Sequence, residues 1–482
     1  MQRTKIVDTI GPASSSPEIL RELALIGMNV ARINRSHGTL EECEVIYRNI
    51  REAADDVERN VAVLVDLQGP KIRCGWFEKN ADGKDVAELE EGQKFTITTD
   101  EIMGNKERVS TTFKGLPGDC KPGDTILIDD GKIRLRVESV EGNDVNTVVV
   151  VPGPISSHKG INLPGVAVSI PALTEKDEED LRWAVRIGAD IIAMSFVRFA
   201  SDIERAHEIM DEEGRRVPII AKIEKPQAVD NLEEIIAAFD GIMVARGDLA
   251  VEMPYESVPL IAKRCIKLAR QHGGKPVIVA TEVLGSMVHS PVPTRAEASD
   301  CANAVLDGAD ATMTSNETAV GEYPVEAVKT MLDIATYTTD NGYDQIPVVR
   351  PDDNGYVTSI TSAAVDLAEH IDAKAIVVFA KSGSSVRHLS AFRSQIPIYA
   401  ITHDFHTKCF MGLSWGVEVY PIEKDHHGMS RLEMMSLADS VLKKEDKLHD
   451  GEQVVLMCCS PEESGLGGKI DSIFVHIVGN EV

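Results

Sequence analysis

The 482-residue chain is short of positive charge, of long apolar runs and of paired cysteine motifs, and each shortage narrows what it can do. Its formal net charge is −27. A nucleic acid or an anionic membrane surface needs a basic footprint, so neither is expected as a partner. No apolar stretch approaches the length that spans a bilayer. The opening residues, Met1 to Val7, pass straight into a strand-like run with no apolar signal core ahead of them. Eight cysteines are scattered without a Cys-x-x-Cys, which argues against a zinc site or a disulfide framework and for reduced thiols in a cytoplasmic protein. A cytoplasmic surface accounts for the acidity; a salt-rich cytoplasm is the alternative. No Gly-x-x-x-x-Gly-Lys-Ser/Thr run occurs, which excludes a P-loop kinase.

What is present is a rhythm. The length calls for about two to four domains. Short apolar runs at 5–10, 30–34, 61–67, 191–197, 217–224, 241–246, 276–282 and 311–315 alternate with amphipathic segments, one of them opened by the cap pattern of Thr174 and Asp177. Eight such units predict a (β/α)8 TIM barrel. Between 68 and 167 the helical period vanishes. Alternating runs take over, with Asp130-Gly131 as a hairpin signal, so a small inserted β domain is expected there. After 343 a further set of strands, at 375–380, 398–401, 417–421, 453–458 and 473–478, predicts an open α/β sheet with its edge strand last. The expected division is therefore barrel 1–67, inserted β lid 68–167, barrel 168–342 and a C-terminal α/β domain 343–482.

Catalytic groups of a barrel gather at the C-terminal ends of its strands. Six of those ends are polar here. The second carries Arg32, Asn34 and Ser36 on one face, because side chains two apart on a strand point the same way. The third ends in Asp66, and the fifth in Lys222 and Glu224. The sixth ends in Arg246-Gly247-Asp248, the seventh in Thr281 and Glu282, and the eighth in Ser315-Asn316-Glu317. Glu224 and Asp248 are hard oxygen donors suited to Mg²⁺. Lys222 and Arg32 are cations able to face phosphoryl oxygens, and phosphoryl transfer asks mostly for positioning and charge neutralisation. A structural Lys222–Glu224 ion pair is the plainer alternative.

Several runs resemble the pyruvate kinase family: Thr4–Val7 with Thr9–Pro12, Asn34–Gly38, Gly69–Arg73, Lys159–Gly165, Ile242–Asp248 and Pro293–Glu297. The resemblance implies a Mg²⁺-dependent transfer (Mn²⁺ as an alternative ion) from phosphoenolpyruvate to ADP, giving pyruvate and ATP in a cytoplasmic homotetramer. It implies that Lys222 stabilises the transferring phosphoryl group, that Glu224 and Asp248 hold the metal, and that Thr281 stands where the enolate is protonated. Arg32 would contact phosphate, and the backbone at Gly247 and Asp248 would take the substrate carboxylate. Asn34, Arg35, Ser36, His37, Arg73 and Lys159 would serve the nucleotide. The turn with Ser382, Ser384 and Ser385, which opens a helix after a strand, resembles a phosphate loop for an allosteric effector. An ordinary serine-capped helix is the alternative there.

The departures are as informative. Asp66-Leu67-Gln68-Gly69-Pro70-Lys71 puts lysine where many members of the family carry a glutamate paired with K⁺. An ammonium supplies the charge of that ion, so turnover without K⁺ is expected, although Asn34, Ser36, Asp66 and Leu67 keep the makings of a monovalent-cation site. Arg35 and Glu282 are also unusual for the family and add opposite charges near the rim. Asp8 replaces a common cysteine, and Thr314 and Asn316 replace leucine and glycine. The competing reading is a barrel lyase or aldolase acting on pyruvate-like acids, with Lys222 forming a Schiff base.

Overall fold

A computed structural model describes residues 1–80, 82–166, 168–351, 355–426, 428–459 and 470–480. The barrel strands are β1 (Lys5–Thr9), β2 (Val30–Asn34), β3 (Ala62–Asp66), β4 (Ile191–Met194), β5 (Ile219–Ile223), β6 (Gly241–Ala245), β7 (Val277–Ala280) and β8 (Ala311–Thr314). They close in the order β1-β8-β7-β6-β5-β4-β3-β2 with parallel pairing throughout. This is the expected TIM barrel. The strands read as apolar runs because both faces are buried. Val7, Val30, Leu64, Ile220, Ile278 and Met313 fill the barrel, while Ile6, Ile33, Val65 and Ile219 pack outward against the helices. Fully burying each such side chain contributes about 1.5–3 kcal/mol.

Helix starts are set by local chemistry. Thr174 accepts from the Asp177 amide while the Asp177 carboxylate accepts from the Thr174 amide, and the same reciprocal pair forms between Thr294 and Glu297. The Pro293–Glu297 run is thus a capping device. The Glu297 carboxylate also takes the Ser286 amide, which ties the loop after β7 to the next helix.

The segment after β3 forms a six-stranded sheet and a separate two-stranded sheet. Its hairpin Thr125–Ile128/Ile133–Glu141 turns through Asp129, Asp130 and Gly131, all at positive φ, as the Asp-Gly signal predicts. The short strands Val86–Leu89, Arg108–Ser110 and Gly153–Ser156 were not foreseen.

The C-terminal sheet comprises β9 (Ala375–Phe379), β10 (Ile398–Thr402), β11 (Val417–Pro421), β12 (Gln453–Cys458) and β13 (Ser472–Ile477). Its order is β11-β10-β9-β12-β13, and β13 is the antiparallel edge. This unit docks on the bottom of the barrel through buried charge. Arg393 pairs with Asp310 Oδ2 at 2.9 Å with both side chains 3% exposed or less. The other carboxylate oxygen of Asp310 accepts from the Trp415 amide at 3.1 Å. Lys5 Nζ donates to the Val417 carbonyl at 2.7 Å.

All eight cysteines are free and buried. No described helix is long and apolar enough to cross a membrane. His426 and His427 read as solvated in sequence. His426 is instead buried, with its ring 5.5 Å from that of Phe379, and His427 lies outside the described residues.

Candidate active site

The strand ends converge on one charged cluster at the barrel mouth. Arg32, on β2, grips Asp66 Oδ2 through Nε at 2.8 Å and Nη2 at 2.7 Å, and donates from Nη1 to Thr9 Oγ1 at 2.8 Å. Lys222, on β5, lies 2.9 Å from Glu224 Oε1 and 3.4 Å from Asp66 Oδ1. Burial opposes the Lys222 charge, but Asp66 and Glu224 outweigh it and hold the ammonium well above its ordinary range. Burial likewise works to raise Asp66, and Lys222 and Arg32 reverse the sign, so its carboxylate is held below the usual value. Glu224 moves up: burial dominates, Asp248 adds repulsion, and Lys222 offsets only part of it.

Glu224 and Asp248 fit a hard divalent cation. Glu224 Oε2 accepts from the Phe196 amide at 2.9 Å. Oε1 is buried and has the Lys222 ion pair but no aligned hydrogen bond, so a lone pair is left for another cation. Asp248 stands in the first turn of the helix Arg246–Glu252, with its side chain 34% exposed. That turn needs glycine at 247. A Cβ there would lie 2.5 Å from Thr281 Cγ2. Thr281 itself holds φ at +75 and Glu282 at +51, a costly conformation for a β-branched residue. Arg246 maintains it, donating to the Ala280 and Thr281 carbonyls at 3.1 Å each.

A cavity of about 890 Å³ opens over this cluster, lined by Arg32, Asn34, His37, Lys222, Asp248 and Thr281 among others. A second cleft of about 980 Å³ runs between the rim and the inserted sheet, where Lys71, Lys132, Gly247, Asp248 and Glu282 face one another. Lys71 Nζ is 3.8 Å from Asp248 Oδ1. Three of the four residues expected of a monovalent-cation site have oxygens already engaged. Asn34 Oδ1 accepts the Ser36 amide at 3.1 Å, the Leu67 carbonyl accepts Ser195 Oγ at 2.7 Å, and Asp66 is held by the two cations.

Not every expected residue arrives. Arg35 turns inward, 3% exposed, to pair with Asp180 at 3.0 Å and to lie over Trp183, so its side chain is not at the nucleotide cleft and does not meet Glu282. Arg35 shares the parity of Ile33, which packs outward, so alternation itself sends it to the helix layer; its nucleotide role was implied by the resemblance alone. Arg73 donates to the His158 carbonyl at 3.1 Å and Lys159 pairs with Asp129 at 2.9 Å. Both stand on the insert and line neither cleft. Ser382, Ser384 and Ser385 lie at the helix Ser384–Ala391, whose cap is Gly383 at φ +73 without any side-chain bond, so it is not serine-capped.

Two residues of the site were missed. Ser195, just past β4, accepts from Lys222 Nζ at 2.9 Å, and Thr9 ends β1 beneath Arg32. The first and fourth strand ends carry the same polar signal as the other six. A hydrogen bond to a charged group contributes about 1.5–3 kcal/mol. Ser195→Ala is therefore expected to lower kcat about tenfold with little change in KM, and Ser195→Thr to restore most of it. Steady-state kinetics on both variants checks this, and an unchanged kcat in the alanine variant removes Ser195 from the site.

Residues 1–328 match the family described as "Pyruvate kinase, barrel domain", and residues 358–476 match "Pyruvate kinase, alpha/beta domain". The chain is 46% identical to pyruvate kinase of Corynebacterium efficiens over 482 residues, covering 100% of this chain and 98% of that protein. It is 46% identical to pyruvate kinase of Mycobacterium tuberculosis, with 100% and 99% covered. The crystal structure of a pyruvate kinase from Cryptosporidium parvum superposes with a TM-score of 0.90 at 32% identity, covering 99% of this chain and 96% of the other.

Proposed function

The chain belongs to the pyruvate kinase family, and from that membership we propose that it moves the phosphoryl group of phosphoenolpyruvate to ADP, giving pyruvate and ATP as the last step of glycolysis. One observation carries the assignment of roles: Arg32 and Lys222 are both anchored on Asp66 and open into the cavity that Asp248 and Thr281 share. Arg32 contacts the phosphate of phosphoenolpyruvate. Lys222 stays protonated and neutralises charge on the phosphoryl group as it leaves. The amides at Gly247 and Asp248 take the substrate carboxylate. Thr281, through a water, lies on the face where the enolate carbon gains its proton, and collapse to the ketone makes the transfer downhill.

Glu224 and Asp248 would hold the divalent ion, Mg²⁺ or Mn²⁺, which supplies Lewis-acid stabilisation of phosphoryl and enolate oxygens. A Schiff base at Lys222 is disfavoured, because an ammonium held charged between two carboxylates is no nucleophile. Asn34, Ser36 and His37 receive the nucleotide phosphates, and Arg73 and Lys159 reach them when the lid (68–167) closes over the barrel (1–67, 168–342). Pyruvate formation in a coupled assay should require ADP and a divalent ion. Pyruvate trapping by borohydride would instead support the aldolase reading.

Lys71 takes the place of K⁺. Its ammonium lies beside Asp248 in the second cleft, and Asn34 Oδ1 and the Leu67 carbonyl already accept hydrogen bonds. In buffer free of Na⁺ and K⁺ the enzyme is expected to run within about twofold of its rate in K⁺. Lys71→Glu is expected to become activated by K⁺ about tenfold or more, the scale of one lost charge contact. Strong K⁺ activation of the parent enzyme would sink the idea.

The C-terminal unit (343–482) takes a phosphorylated effector on Ser382, Ser384 and Ser385, read as a lower half-saturating phosphoenolpyruvate concentration that Ser384→Asp abolishes. The assembly is a cytoplasmic homotetramer, a symmetric form that sedimentation would reveal.

A further inference from the structure

Away from the catalytic cluster, a second set of metal-ligating side chains gathers at the C-terminal edge of the α/β sheet. His403 is the first residue beyond β10. Asp425 and His426 lie in the segment beyond β11. Because β10 and β11 run parallel, both segments leave the sheet on the same edge. Asp425 Oδ1 stands between the two imidazoles, 3.5 Å from His403 Nδ1 and 4.0 Å from His426 Nδ1. The two rings meet edge to face with centroids 6.0 Å apart. One ligating atom from each of the three residues lies within 4.8 Å of the others.

The chemistry of this trio differs from that of the catalytic pair. Glu224 and Asp248 offer only carboxylate oxygen, which suits Mg²⁺. Two imidazoles and one carboxylate suit a borderline ion such as Zn²⁺ or Co²⁺, and three protein ligands leave one position for water. The mechanical arrangement also suits capture. The His426 side chain is 1% exposed and set against Phe379, so it is a fixed post. His403 and Asp425 are 31% and 52% exposed at the surface. Metal–nitrogen bonds of about 2.0–2.1 Å place tetrahedral ligands roughly 3.3 Å apart, so the three ligand atoms, within 4.8 Å of one another, must close by up to about 1.5 Å. Such a movement is a small torsional change at an exposed side chain.

We propose that His403, Asp425 and His426 form a binding site for a divalent transition-metal ion of the Zn²⁺ class in the C-terminal α/β unit, separate from the catalytic metal site. The bound ion would tie the β10 and β11 exits together on the sheet edge that also carries the Lys381–Ser385 turn. It requires the imidazoles unprotonated, so binding weakens as the solution is acidified.

The test uses the full chain with saturating Mg²⁺ and Co²⁺ as the probe. Tetrahedral Co²⁺ gives visible d–d absorption, which Mg²⁺ does not. The expected result is one Co²⁺ per chain with these bands, displaced by Zn²⁺. His403→Ala and Asp425→Asn should each weaken binding about tenfold or more, and both should keep the far-ultraviolet dichroism and the Mg²⁺-supported activity of the parent. His426 is left intact because removing it would disturb the packing on Phe379. Glu224→Gln should retain the Co²⁺ spectrum. Unchanged Co²⁺ affinity and spectrum in both His403→Ala and Asp425→Asn overturns the proposal, as does Co²⁺ binding that Glu224→Gln alone abolishes, or no visible bands at all.

Discussion

Lys222→Met is expected to lower kcat by about a thousandfold or more, with kcat/KM falling in parallel. Methionine keeps most of the stem volume and removes the charge. In the parent protein that charge is kept on by Asp66 and Glu224, so it is present at every working pH. In the proposed mechanism it faces the phosphoryl group as negative charge moves, and with its side chain 12% exposed it is only weakly screened by water. Arg32 remains on Asp66 in the variant, so substrate binding is expected to suffer less than turnover. Removing one partner of a buried ion pair also destabilises the fold. The unfolding midpoint must therefore be measured beside the kinetics, to show that the lost rate belongs to folded protein. A folded Lys222→Met enzyme within tenfold of the parent kcat would refute the mechanism.

The second large effect lies just outside the barrel wall. Asp8, on β1, is fully buried on the outer face, where Thr314 Oγ1 donates to Oδ1 at 2.7 Å and Oδ2 has no partner. Burial pushes this carboxyl up to about 7, the Thr314 bond pulls the other way, and the buried Glu317 adds to the rise. The unfolded chain releases that proton near the ordinary aspartate value of 3.8, whereas the folded chain keeps it to about 7. The folded state therefore binds the extra proton across that window. Stability falls as pH rises through it and levels off above it. The integrated penalty is at most about 4 kcal/mol. Asp8→Asn cannot ionise, so it is expected to gain on the parent as pH rises from about 5 to about 8. Comparing the difference between the two proteins at the two pH values cancels any fixed packing cost of the amide. Parallel denaturation curves for parent and variant at both pH values would show that Asp8 stays ionised in the folded state.

The barrel was legible because a strand buried on both faces must be an apolar run, and because the polar residue that ends the run marks the working rim. That rule located Arg32, Asp66, Lys222, Glu224, Asp248 and Thr281 on one mouth. It also puts Arg35 on the outward face with Ile33, where Asp180 and Trp183 hold it; the nucleotide role expected of Arg35 rested on the resemblance alone. Ser195 and Thr9, at the ends of the fourth and first strands, obey the same rule. Arg73 and Lys159 were placed by their neighbourhood in sequence, but their positions depend on how the insert lies over the barrel, and no periodicity carries that. His426 shows the same limit, since polar neighbours suggest water while the ring packs behind Phe379.

The anchoring of the C-terminal unit has a mechanical meaning. The Arg393–Asp310 pair is closed to solvent, and Asp310 also receives the amides of Val277 and Trp415. Prising the two bodies apart would break this pair and the Trp415 bond, and water would have to replace them on both charges. The joint is also fastened at Lys5–Val417, His406–Asp190 and Asn60–Lys408, so it is a seam with several rivets and not a single pivot. A polypeptide cut short after the barrel would present a bare carboxylate on its floor.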